Sequence, residues 1–472
     1  MCGVVGVHTK KGTDAVDLCA ALLFRLQHRG QDGAGLVAYA GEGTYQVVKG
    51  RGLITDALQE WTTLKPSKSA LAHTRYATTG TGGIVELQPF VSGFPKIAMA
   101  HNGNISNVHE VRENFEGTLQ TESDLELLQE EFLKTYGTEG FVAAVQKLMD
   151  TFEGGFAVVG ILDNGDLYAF RDPFGIRPLY LAESDEVVAF GSETGALDLL
   201  RDVKVSEILP GEWVRYSDGK LERGMTVSKK NPESKRRSCM FESVYFSSPQ
   251  SAIQGTSVYR QRFQLGRYLA KQISSDWTSG SFINDEIDFV VPVPETSRIA
   301  ATAVAEELGI PFREFLIKNP YVPRTFILSS QEKRLQALSQ KLSLVGPELR
   351  DKRILLVDDS VVRGNTSRLM TQRLREAGAK AVYLASTCPP IVSGCYYGID
   401  FPDRSELIAA DHSIPEVAQQ LGVDGLFYLS LAGLKKALAT ENLCTGCLTG
   451  EYPYSDLHHS RFVEERRKQR CL

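Results

Sequence analysis

The chain has 472 residues, 42% of them hydrophobic and 23% charged, with a formal net charge of −6. This composition is typical of a folded globular protein of two or three domains and excludes extensive disorder. No apolar run reaches the ~20 residues that span a bilayer, so we expect no membrane partner. The net charge is mildly negative and the sequence has no sustained basic stripe, so we expect no nucleic-acid partner.

The amino terminus carries the first chemical signal. It lacks the basic and apolar regions of a signal peptide, so we expect a cytoplasmic protein whose eight cysteines are reduced, catalytic or metal-bound. Cys2 is small enough for Met1 to be removed, which would leave a thiol beside an α-amino group able to act as its base. A chance cysteine at a disordered terminus is the alternative, but the β-forming run 3–7 favours a terminus inside a sheet.

Up to about Val227, short β-rich runs separate two predicted helices. Apolar residues three or four positions apart define the core face of the first helix: Val16, Cys19, Leu23 and Leu26. The second helix opens with a capping box of Ser123 and Glu126 and ends near Gly137. Strands and helices in separate runs predict a layered α+β fold.

The polar, basic stretch 228–238 is a predicted linker, after which the pattern changes. Apolar strands and helices then alternate, with helices at 258–273, 300–308 and 366–377 and strands at 287–293, near Phe315, at 353–357 and at 381–385. This alternation predicts an α/β fold with a parallel sheet covered on both faces. We therefore predict domains at 2–230 (the first half) and 240–440 (the second half), followed by a segment at 441–472.

Six motifs of the first half contain residue types that suit amide chemistry: 26–33 (LQHRGQDG), 73–78 (HTRYAT), 101–104 (HNGN), 121–124 (TESD), 171–179 (RDPFGIRPL) and 191–194 (GSET). Together with Cys2 they resemble the class II glutamine amidotransferases, in which the amino-terminal residue is the nucleophile. The resemblance covers residues 2 to about 215. It implies a four-layer αββα glutaminase domain of the N-terminal-nucleophile (Ntn) hydrolase type.

The same resemblance assigns the catalytic roles. Cys2 attacks the glutamine carboxamide, and the Asn102 side-chain amide and the Gly103 N–H hold the oxyanion. Arg29 is implied to lie near the nucleophile.

Two residues are implied to bind the amino-acid end of glutamine. Arg75 takes the α-carboxylate through a bidentate fork, and Asp124 takes the α-ammonium. Singly, Arg75 fits a surface salt bridge and Asp124 fits a helix first-turn acid. Their coincidence with a terminal cysteine favours the catalytic interpretation.

The second half has a phosphate-binding pattern at 355–367 (LLVDDSVVRGNTS). A buried strand leads to two acids, a turn with N–H and hydroxyl donors, and a helix start that favours an anion. No GxGxxG or glycine-rich P-loop is present, so dinucleotides and nucleoside triphosphates are disfavoured. Asp358 and Asp359 suit ribose hydroxyls or Mg²⁺ held partly through water, whereas a helix-capping acidic turn would explain only Asp359.

This segment resembles the 5-phosphoribosyl-1-pyrophosphate (PRPP) motif of type I phosphoribosyltransferases. With segments 239–246, 292–297 and 318–327, it resembles the glutamine PRPP amidotransferases over nearly the full chain. The resemblance implies that Asp358 and Asp359 face the ribose and Mg²⁺. It implies pyrophosphate contacts from Glu295, Thr296 and Ser297, and 5-phosphate contacts from Ser360, Arg363, Gly364, Asn365, Thr366 and Ser367.

A mobile loop that closes over PRPP is implied at 318–341, with Lys318, Tyr321, Arg324 and Thr325. This loop departs from the family pattern, because Pro320 and Pro323 stand where Arg and Gly are usual. Two prolines restrict φ and remove two N–H donors, so we expect altered loop closure or pyrophosphate contacts.

Cys444 and Cys447 form a C-x-x-C pair, which by itself fits a redox motif, half a zinc site or chance. No thioredoxin-like context supports the redox interpretation. Resemblance to the cluster-bearing subset of the family implies a 4Fe-4S cluster on Cys239, Cys395, Cys444 and Cys447, with structural zinc or free thiols as alternatives. The same resemblance implies no ligand role for Cys388 and Cys471.

The combined resemblance implies a pentosyltransferase with glutaminase activity. Glutamine is hydrolysed through a thioester, and the ammonia reaches PRPP by a shielded path, giving 5-phosphoribosylamine, pyrophosphate and glutamate in the committed step of purine biosynthesis. The family also implies a homotetramer inhibited by purine nucleotides. One alternative is a different amidotransferase that shares the amino-terminal domain, such as a sugar-phosphate aminating enzyme or an asparagine synthetase. Segment 357–367 argues against both. The other is a PRPP or nucleotide sensor that has lost transfer, suggested by Pro320 and Pro323.

Overall fold

The computed structural model describes residues 2–12, 14–76, 83–233, 235–277, 286–319, 342–401, 403–454 and 463–464. The strands of its first half are β1 (Gly3–Thr9), β2 (Gly33–Gly41), β3 (Thr44–Arg51), β4 (Ser69–Arg75), β5 (Phe90–Ser92), β6 (Ile97–Ile105), β7 (Gly154–Ile161), β8 (Leu167–Arg171), β9 (Tyr180–Glu183), β10 (Val187–Gly191), β11 (Lys204–Glu207), β12 (Glu212–Ser217) and β13 (Lys220–Met225). The α-helices are α1 (Ala15–Phe24), α2 (Ile54–Ala57), α3 (Val108–Glu113), α4 (Asp124–Glu139), α5 (Phe141–Thr151) and α6 (Thr194–Leu197).

These strands form two antiparallel sheets that face each other. One has the order β11-β9-β10-β1-β4-β2-β3 and the other β13-β12-β8-β7-β6-β5. Apolar side chains such as Val4 and Val159 meet between the sheets. Cys19 of α1 lies in the core on the outer face of the first sheet, and Phe132 of α4 on that of the second. The layers therefore run αββα, which confirms the predicted fold class and the core position of Cys19.

The predicted capping and end of helix α4 agree with the structure only in part. Ser123 caps it by accepting a hydrogen bond from the N–H of Leu125 at 3.3 Å. The predicted reciprocal bond from Glu126 to Ser123 is wrong, since the Glu126 carboxylate accepts instead from the N–H of Thr121 at 2.7 Å. The helix passes Gly137 and ends before Gly140, whose φ of 84° turns the chain.

The strands of the second half are β14 (Ser238–Cys239), β15 (Ala252–Ile253), β16 (Thr256–Ser257), β17 (Phe289–Pro292), β18 (Leu316–Lys318), β19 (Leu342–Leu344), β20 (Arg353–Asp358), β21 (Ala381–Ser386), β22 (Gly425–Tyr428) and β23 (Leu443–Cys444). Its α-helices are α7 (Val258–Asp276), α8 (Arg298–Leu308), α9 (Asn365–Glu376), α10 (Ile414–Leu421), α11 (Leu431–Leu438) and α12 (Gly446–Thr449), and a π-helical turn covers Glu242–Phe246.

The main sheet of this half is parallel, in the order β17-β20-β21-β22. Alternate residues of β20 point to opposite faces: Leu355 packs with α7 and α8, and Leu356 with α9 and α10. This arrangement confirms the predicted parallel sheet covered on both faces. No helix in the described part of the chain combines the length and the apolar character needed to cross a membrane.

The two halves share one hydrophobic core. Phe174 and Ile176 of the first half are buried with Met240 and Tyr397 of the second. The Phe174 ring meets the Tyr454 ring edge to face, with centroids 4.8 Å apart. The predicted linker therefore leads into a buried interface, whereas the domain boundaries at 230, 240 and 440 stay predictions.

Two candidate active sites and the residues between them

Cys2 precedes β1 in the first sheet and lies beside β6 in the second. Its main-chain nitrogen is 3.1 Å from Asn102 Oδ1, and its Sγ is 3.7 Å from the Tyr76 carbonyl oxygen. Asn102 is fully buried, and its Nδ2 has no hydrogen-bond partner among the described atoms. A buried amide donor left without a partner beside a thiol suits an oxyanion that forms there.

Arg29 fixes Cys2 from the other side. Its Nε donates to the Cys2 carbonyl oxygen at 2.9 Å. The guanidinium is fully buried, with Nη1 2.5 Å from Glu193 Oε1 and Nη2 2.9 Å from Glu242 Oε1. Cys2 is therefore attached to a buried ion group that takes one carboxylate from each half.

The pKa directions support a fully charged group. Burial would lower the pKa of Arg29, but Glu242 and Glu193 outweigh burial and raise it. Burial would raise the pKa of both acids, but Arg29 keeps each pKa below its usual range, with help from His28 at Glu193. The sequence analysis quoted both acids inside family-like segments, 191–194 and 239–246, but assigned neither of them a role. A single acid inside the apolar run 239–246 was the available signal for Glu242.

Arg75 and Asp124, the predicted glutamine-binding residues, are both buried and partnered. Arg75 Nη2 is 3.2 Å from Glu86 Oε2, and Nη1 donates to the Glu86 carbonyl oxygen. Asp124 accepts from a main-chain N–H of β6 at 3.0 Å and lies 3.4 Å from His101 Nε2. Burial would raise the pKa of Asp124, but His101 and the hydrogen bonds lower it. The predictions assigned no role to Glu86 or His101.

Asp358 and Asp359 end β20 as a buried acid pair. Asp358 Oδ1 accepts from the Asp359 N–H at 2.8 Å, and Ser360 Oγ donates to Asp359 Oδ1 at 2.7 Å. Burial, then the neighbouring acid, raises the pKa of Asp358 well above its usual range. Burial also raises the pKa of Asp359 to about 6, although the hydrogen bond from Ser360 and the charge of Arg262 lower it. A cation or a set of hydroxyl donors would relieve this cost.

The turn after these acids leads into helix α9. Gly364 has a φ of 74° and immediately precedes the helix, and Arg363 Nε is 2.9 Å from Glu406 Oε2. Asn365 and Thr366 are half-buried, and Ser367 is buried. The predicted 5-phosphate residues thus surround the helix start.

The predicted pyrophosphate segment follows β17, the neighbour of β20, at the same edge of the sheet. Glu295 is exposed and 2.9 Å from Arg298 Nη1, and its peptide bond with Pro294 is cis. Thr296 is half-buried. Ser297 is buried and donates its hydroxyl to the Val293 carbonyl oxygen.

Only the start of the predicted mobile loop is described. Lys318 is half-buried at the end of β18, which pairs with β19 in an antiparallel ladder. The remaining predicted positions lie outside the described residues: Pro320, Tyr321, Pro323, Arg324 and Thr325.

The four predicted cluster cysteines lie in one neighbourhood. Cys239 and Cys444 are Cα partners in the parallel β14–β23 ladder. The Cys447 carbonyl oxygen accepts from two N–H groups just before Cys395, at 3.0 and 3.1 Å. Burial raises the pKa of Cys239 to about 11, and burial together with the neighbouring thiols raises the pKa of Cys444 further.

These thiols do not form a compact single-ion site. Within the described ranges, no three His, Cys, Asp or Glu side chains are arranged to hold one metal ion. Cys388 is buried in the same core, where its N–H donates to the Asp359 carbonyl oxygen at 2.9 Å. Cys471 lies outside the described residues.

Arg177 connects the thiols to the ion group at Cys2. It is fully buried, its Nε donates to the Tyr397 carbonyl oxygen at 2.5 Å, and its Nη1 is 3.6 Å from Glu242 Oε1. Burial would lower its pKa, but the charges of Cys239, Cys395 and Glu242 raise it. Glu242 therefore lies between Arg29 and Arg177.

Two family models match the chain. One, described as a glutamine amidotransferase domain, matches residues 73–199, and the other, a phosphoribosyl transferase domain, matches residues 255–397. The first therefore spans Asn102 and Arg75, and the second spans Asp358 and Glu295.

Full-length relatives carry both regions. The chain is 40% identical to the amidophosphoribosyltransferase of Methanocaldococcus jannaschii, over 96% of this chain and 98% of the relative. It is 37% identical to the amidophosphoribosyltransferase of Haemophilus influenzae, over 97% of this chain and 94% of the relative.

Solved structures agree in fold. The glutamine PRPP amidotransferase from B. subtilis, complexed with ADP and GMP, superposes with a TM-score of 0.84 at 36% identity, covering 96% of this chain and 98% of that one. A structure described as the allosteric regulatory enzyme of purine biosynthesis has the same TM-score and identity. It covers 96% of this chain and 97% of its own. Since identity well above 30% extends over nearly the whole length, the chain belongs to the amidophosphoribosyltransferase family.

Proposed function

We propose that this chain hydrolyses glutamine in its first half and uses the ammonia in its second half to displace pyrophosphate from C1 of PRPP. The products are glutamate, 5-phosphoribosylamine and pyrophosphate, in a step of purine biosynthesis. One observation carries the proposal: a single chain holds Cys2 beside the unpartnered Asn102 Nδ2, and also a buried Asp358–Asp359 pair at the end of a parallel strand. This makes the protein a pentosyltransferase with glutaminase activity.

In the glutaminase half, the Cys2 thiolate attacks the carboxamide carbon and ammonia leaves from a tetrahedral intermediate, forming a thioester that water hydrolyses. Asn102 Nδ2 and the Gly103 N–H receive the oxyanion. We propose that removal of Met1 frees the Cys2 nitrogen as the local base, 3.1 Å from Asn102 Oδ1. Arg29 holds the Cys2 carbonyl oxygen and so positions the thiol.

Arg75 and Asp124 are proposed to bind the two ends of the amino-acid group of glutamine. Arg75 already pairs with Glu86, so the substrate α-carboxylate has to share the guanidinium with this acid or displace it. Asp124 is kept ionised beside His101, which suits an ammonium partner.

In the transferase half, the residues around the α9 start are proposed to bind the 5-phosphate, because helix N–H groups and hydroxyls favour an anion. The residues proposed there are Ser360, Arg363, Gly364, Asn365, Thr366 and Ser367. Asp358 and Asp359 face the ribose and Mg²⁺, and Glu295, Thr296 and Ser297 the pyrophosphate. Oxygen donors of this kind suit Mg²⁺, which would neutralise the departing pyrophosphate.

Placing both reactions in one chain has a chemical reason. Ammonia released into water at neutral pH is mostly ammonium, which is not a nucleophile. We therefore propose a shielded path between the sites, with loop 318–341 closing over PRPP to exclude water.

The first measurement is pyrophosphate release from PRPP and Mg²⁺ by anaerobically purified protein, with glutamine or with ammonia. Release with both supports the proposal. Release with ammonia alone would contradict the glutaminase assignment, and no release with either would favour the PRPP-sensor alternative.

Variants test the site assignments separately. Cys2→Ala should lose glutamine use by a factor of about 10³ or more and keep ammonia use, whereas the buried-thiol control Cys19→Ala should keep both. Asp359→Ala should abolish transfer from either nitrogen source and retain glutaminase activity. Loss of both reactions in Cys2→Ala would contradict separate sites.

We also propose a 4Fe-4S cluster on Cys239, Cys395, Cys444 and Cys447. The four side chains belong to one core and interact electrostatically, which fits a common ligand set. Four thiolates fit a 4Fe-4S cluster, and structural zinc is the alternative that metal analysis would distinguish. The cluster would link the linker to the carboxyl-terminal segment, in a structural or oxygen-sensing role.

Metal analysis tests this cluster. Protein purified without oxygen should contain about four irons and show visible charge-transfer absorption. Cys395→Ala should lose both signals, and the remote control Cys19→Ala should keep them. One zinc and no colour, or iron retained in Cys395→Ala, would contradict the assignment.

Three finer features remain proposals. The B. subtilis relative was solved with ADP and GMP, which supports inhibition of this chain by purine nucleotides. A homotetramer and a cytoplasmic location are carried over from the sequence predictions. Sedimentation of the purified protein with and without nucleotides would test the assembly.

A further inference from the structure

A contact between two glycines joins the two halves next to the proposed oxyanion site. A Cβ added to Gly398 would lie 3.2 Å from Gly103 Cα and 3.3 Å from its carbonyl carbon. Both neighbouring atoms are main chain, so neither can rotate away. On β6, Gly103 is adjacent to Asn102, the residue with the unpartnered amide.

The strand is closely packed on its other side as well. Gly103 has a φ of 145° and pairs with Phe156 in the β6–β7 ladder. A Cβ on Gly103 would overlap the Gly155 carbonyl oxygen of β7. The oxyanion strand is therefore confined between β7 and the segment that contains Gly398.

That segment is itself fixed from three directions. The Tyr397 carbonyl oxygen accepts from Arg177 Nε at 2.5 Å, and the Tyr397 hydroxyl accepts from the Tyr454 N–H at 3.3 Å. The Tyr397 N–H donates to Cys395 Sγ at 3.4 Å. Because interiors pack closely, an added methyl group at Gly398 would displace Gly103 as readily as its own segment.

We propose that Gly398 is a positioning residue for glutamine hydrolysis, acting through the Gly103 peptide from the opposite half of the chain. The inference rests on the oxyanion role proposed for Asn102 and Gly103. The absence of a side chain at Gly398 lets the second half approach the strand and set the position of the oxyanion donors. Since one such donor contributes about 10²–10³ in kcat, a shift of a few tenths of an ångström should lower kcat about tenfold.

The test compares two glycine substitutions. Gly398 has a φ of 108°, so Gly398→Ala strains the backbone as well as crowding Gly103. Gly450 has a φ of 79° with no atom within 4 Å of an added Cβ, so Gly450→Ala also places a side chain at a positive φ, but without the contact. The difference between the variants reports the contact.

Three readouts are measured on the full-length protein: kcat and KM for glutamine hydrolysis, ammonia-dependent pyrophosphate release, and alkylation of Cys2 by iodoacetamide. Alkylation is a direct displacement of iodide by the thiolate and uses no oxyanion donor. Gly398→Ala should lower the glutaminase kcat about tenfold, with KM, ammonia-dependent release and alkylation changed less than about threefold.

Two results would overturn the inference: a glutaminase kcat in Gly398→Ala within twofold of Gly450→Ala, or an equal loss of all three readouts. Should Gly398→Ala not fold, Tyr397→Phe removes the hydroxyl that binds Tyr454 without adding bulk, and a selective two- to five-fold loss of glutaminase kcat is expected. A Tyr397→Phe variant that shows no selective loss of glutaminase kcat would also overturn the inference. A wild-type protein without glutaminase activity would contradict the proposed function instead.

Discussion

Arg29 is the side chain at which the two halves meet the nucleophile. A guanidinium with no solvent exposure needs carboxylate partners, and Glu193 and Glu242 supply them. The arrangement makes Glu242, a residue of the second half, part of the proposed glutaminase site.

Glu242→Gln should cost about 3 kcal/mol of unfolding free energy at pH 7, because it leaves part of a buried charge uncompensated. The pKa of Glu242 lies below its unfolded value, so its contribution is full above about pH 4.5 and is lost as the pH falls further. Urea denaturation at pH 8, 6 and 4 should show a difference from wild type that shrinks only at the lowest pH.

A matched control is Glu222→Gln, which removes an exposed ion pair with Arg215 at 2.7 Å and should cost less than about 1 kcal/mol. Glu242→Gln should also lower glutaminase kcat while leaving ammonia-dependent transfer near wild type. Equal losses of stability in the two variants would refute the role assigned to the buried ion group.

Residues to which a motif assigns a role were predictable, whereas contacts between motifs were not. Cys2, Asn102 and Arg29 come from motifs that resemble those of the family, and the structure places Asn102 and Arg29 each within hydrogen-bond distance of Cys2. Glu242 lies 213 positions from Arg29, and no local pattern relates residues at that separation.

At the scale of elements, the loop between β20 and α9 shapes the proposed PRPP site. The chain reverses at Gly364, where a Cβ would lie 2.6 Å from Ile408 Cδ1 and 2.7 Å from Leu421 Cδ2. The backbone angle at Gly364 therefore disfavours a side chain, and an added Cβ would also require the ends of the Ile408 and Leu421 side chains to shift.

Gly364→Ala should raise the KM for PRPP about tenfold or more and leave glutamine hydrolysis unchanged, since the crowding displaces the phosphate-binding turn alone. Gly422→Ala is the control, with a φ of 73° against 74° at Gly364 and its nearest atom at 3.9 Å. Initial rates at varied PRPP would measure the effect, and equal KM values in the two variants would count against it.

Element type was predictable because hydrophobic periodicity is local. The strand predicted at 353–357 is β20, and the helix predicted at 366–377 is α9, each within one residue at both ends. The ends of α4 were less predictable, since Glu126 bonds to a preceding turn that periodicity does not describe.

At the scale of the molecule, the proposed glutaminase site draws on residues of both halves. Glu242 and Gly398, which contact Arg29 and Gly103, both lie beyond residue 230. The shared core around Phe174 and Tyr397 would also be exposed to water in a fragment.

A fragment of residues 2–230 should therefore hydrolyse glutamine at least about tenfold more slowly than the full chain. Adding a fragment of residues 231–472 should restore part of the rate. The assay is glutamate production at matched concentrations, with the full chain as reference. Full activity in the first fragment alone would show that the interface does not serve the site.

Contacts between segments far apart in the chain could not be read from the sequence, because pattern and motif describe one segment at a time. The parallel pairing of β14 with β23 joins residues 239 and 444, and neither two-residue strand has a detectable periodicity. The cysteine resemblance alone implied that these segments meet.

The order of the two halves in the chain sets an order of events during synthesis. The first half leaves the ribosome early, but Gly398, which we propose to position its oxyanion donors, follows about 168 residues later. At ~5–20 residues per second, translation alone imposes a delay of about 8 to 34 s. We expect unfinished chains to consume little of the cell's glutamine, because hydrolysis becomes fast only once the acceptor half exists to use the ammonia.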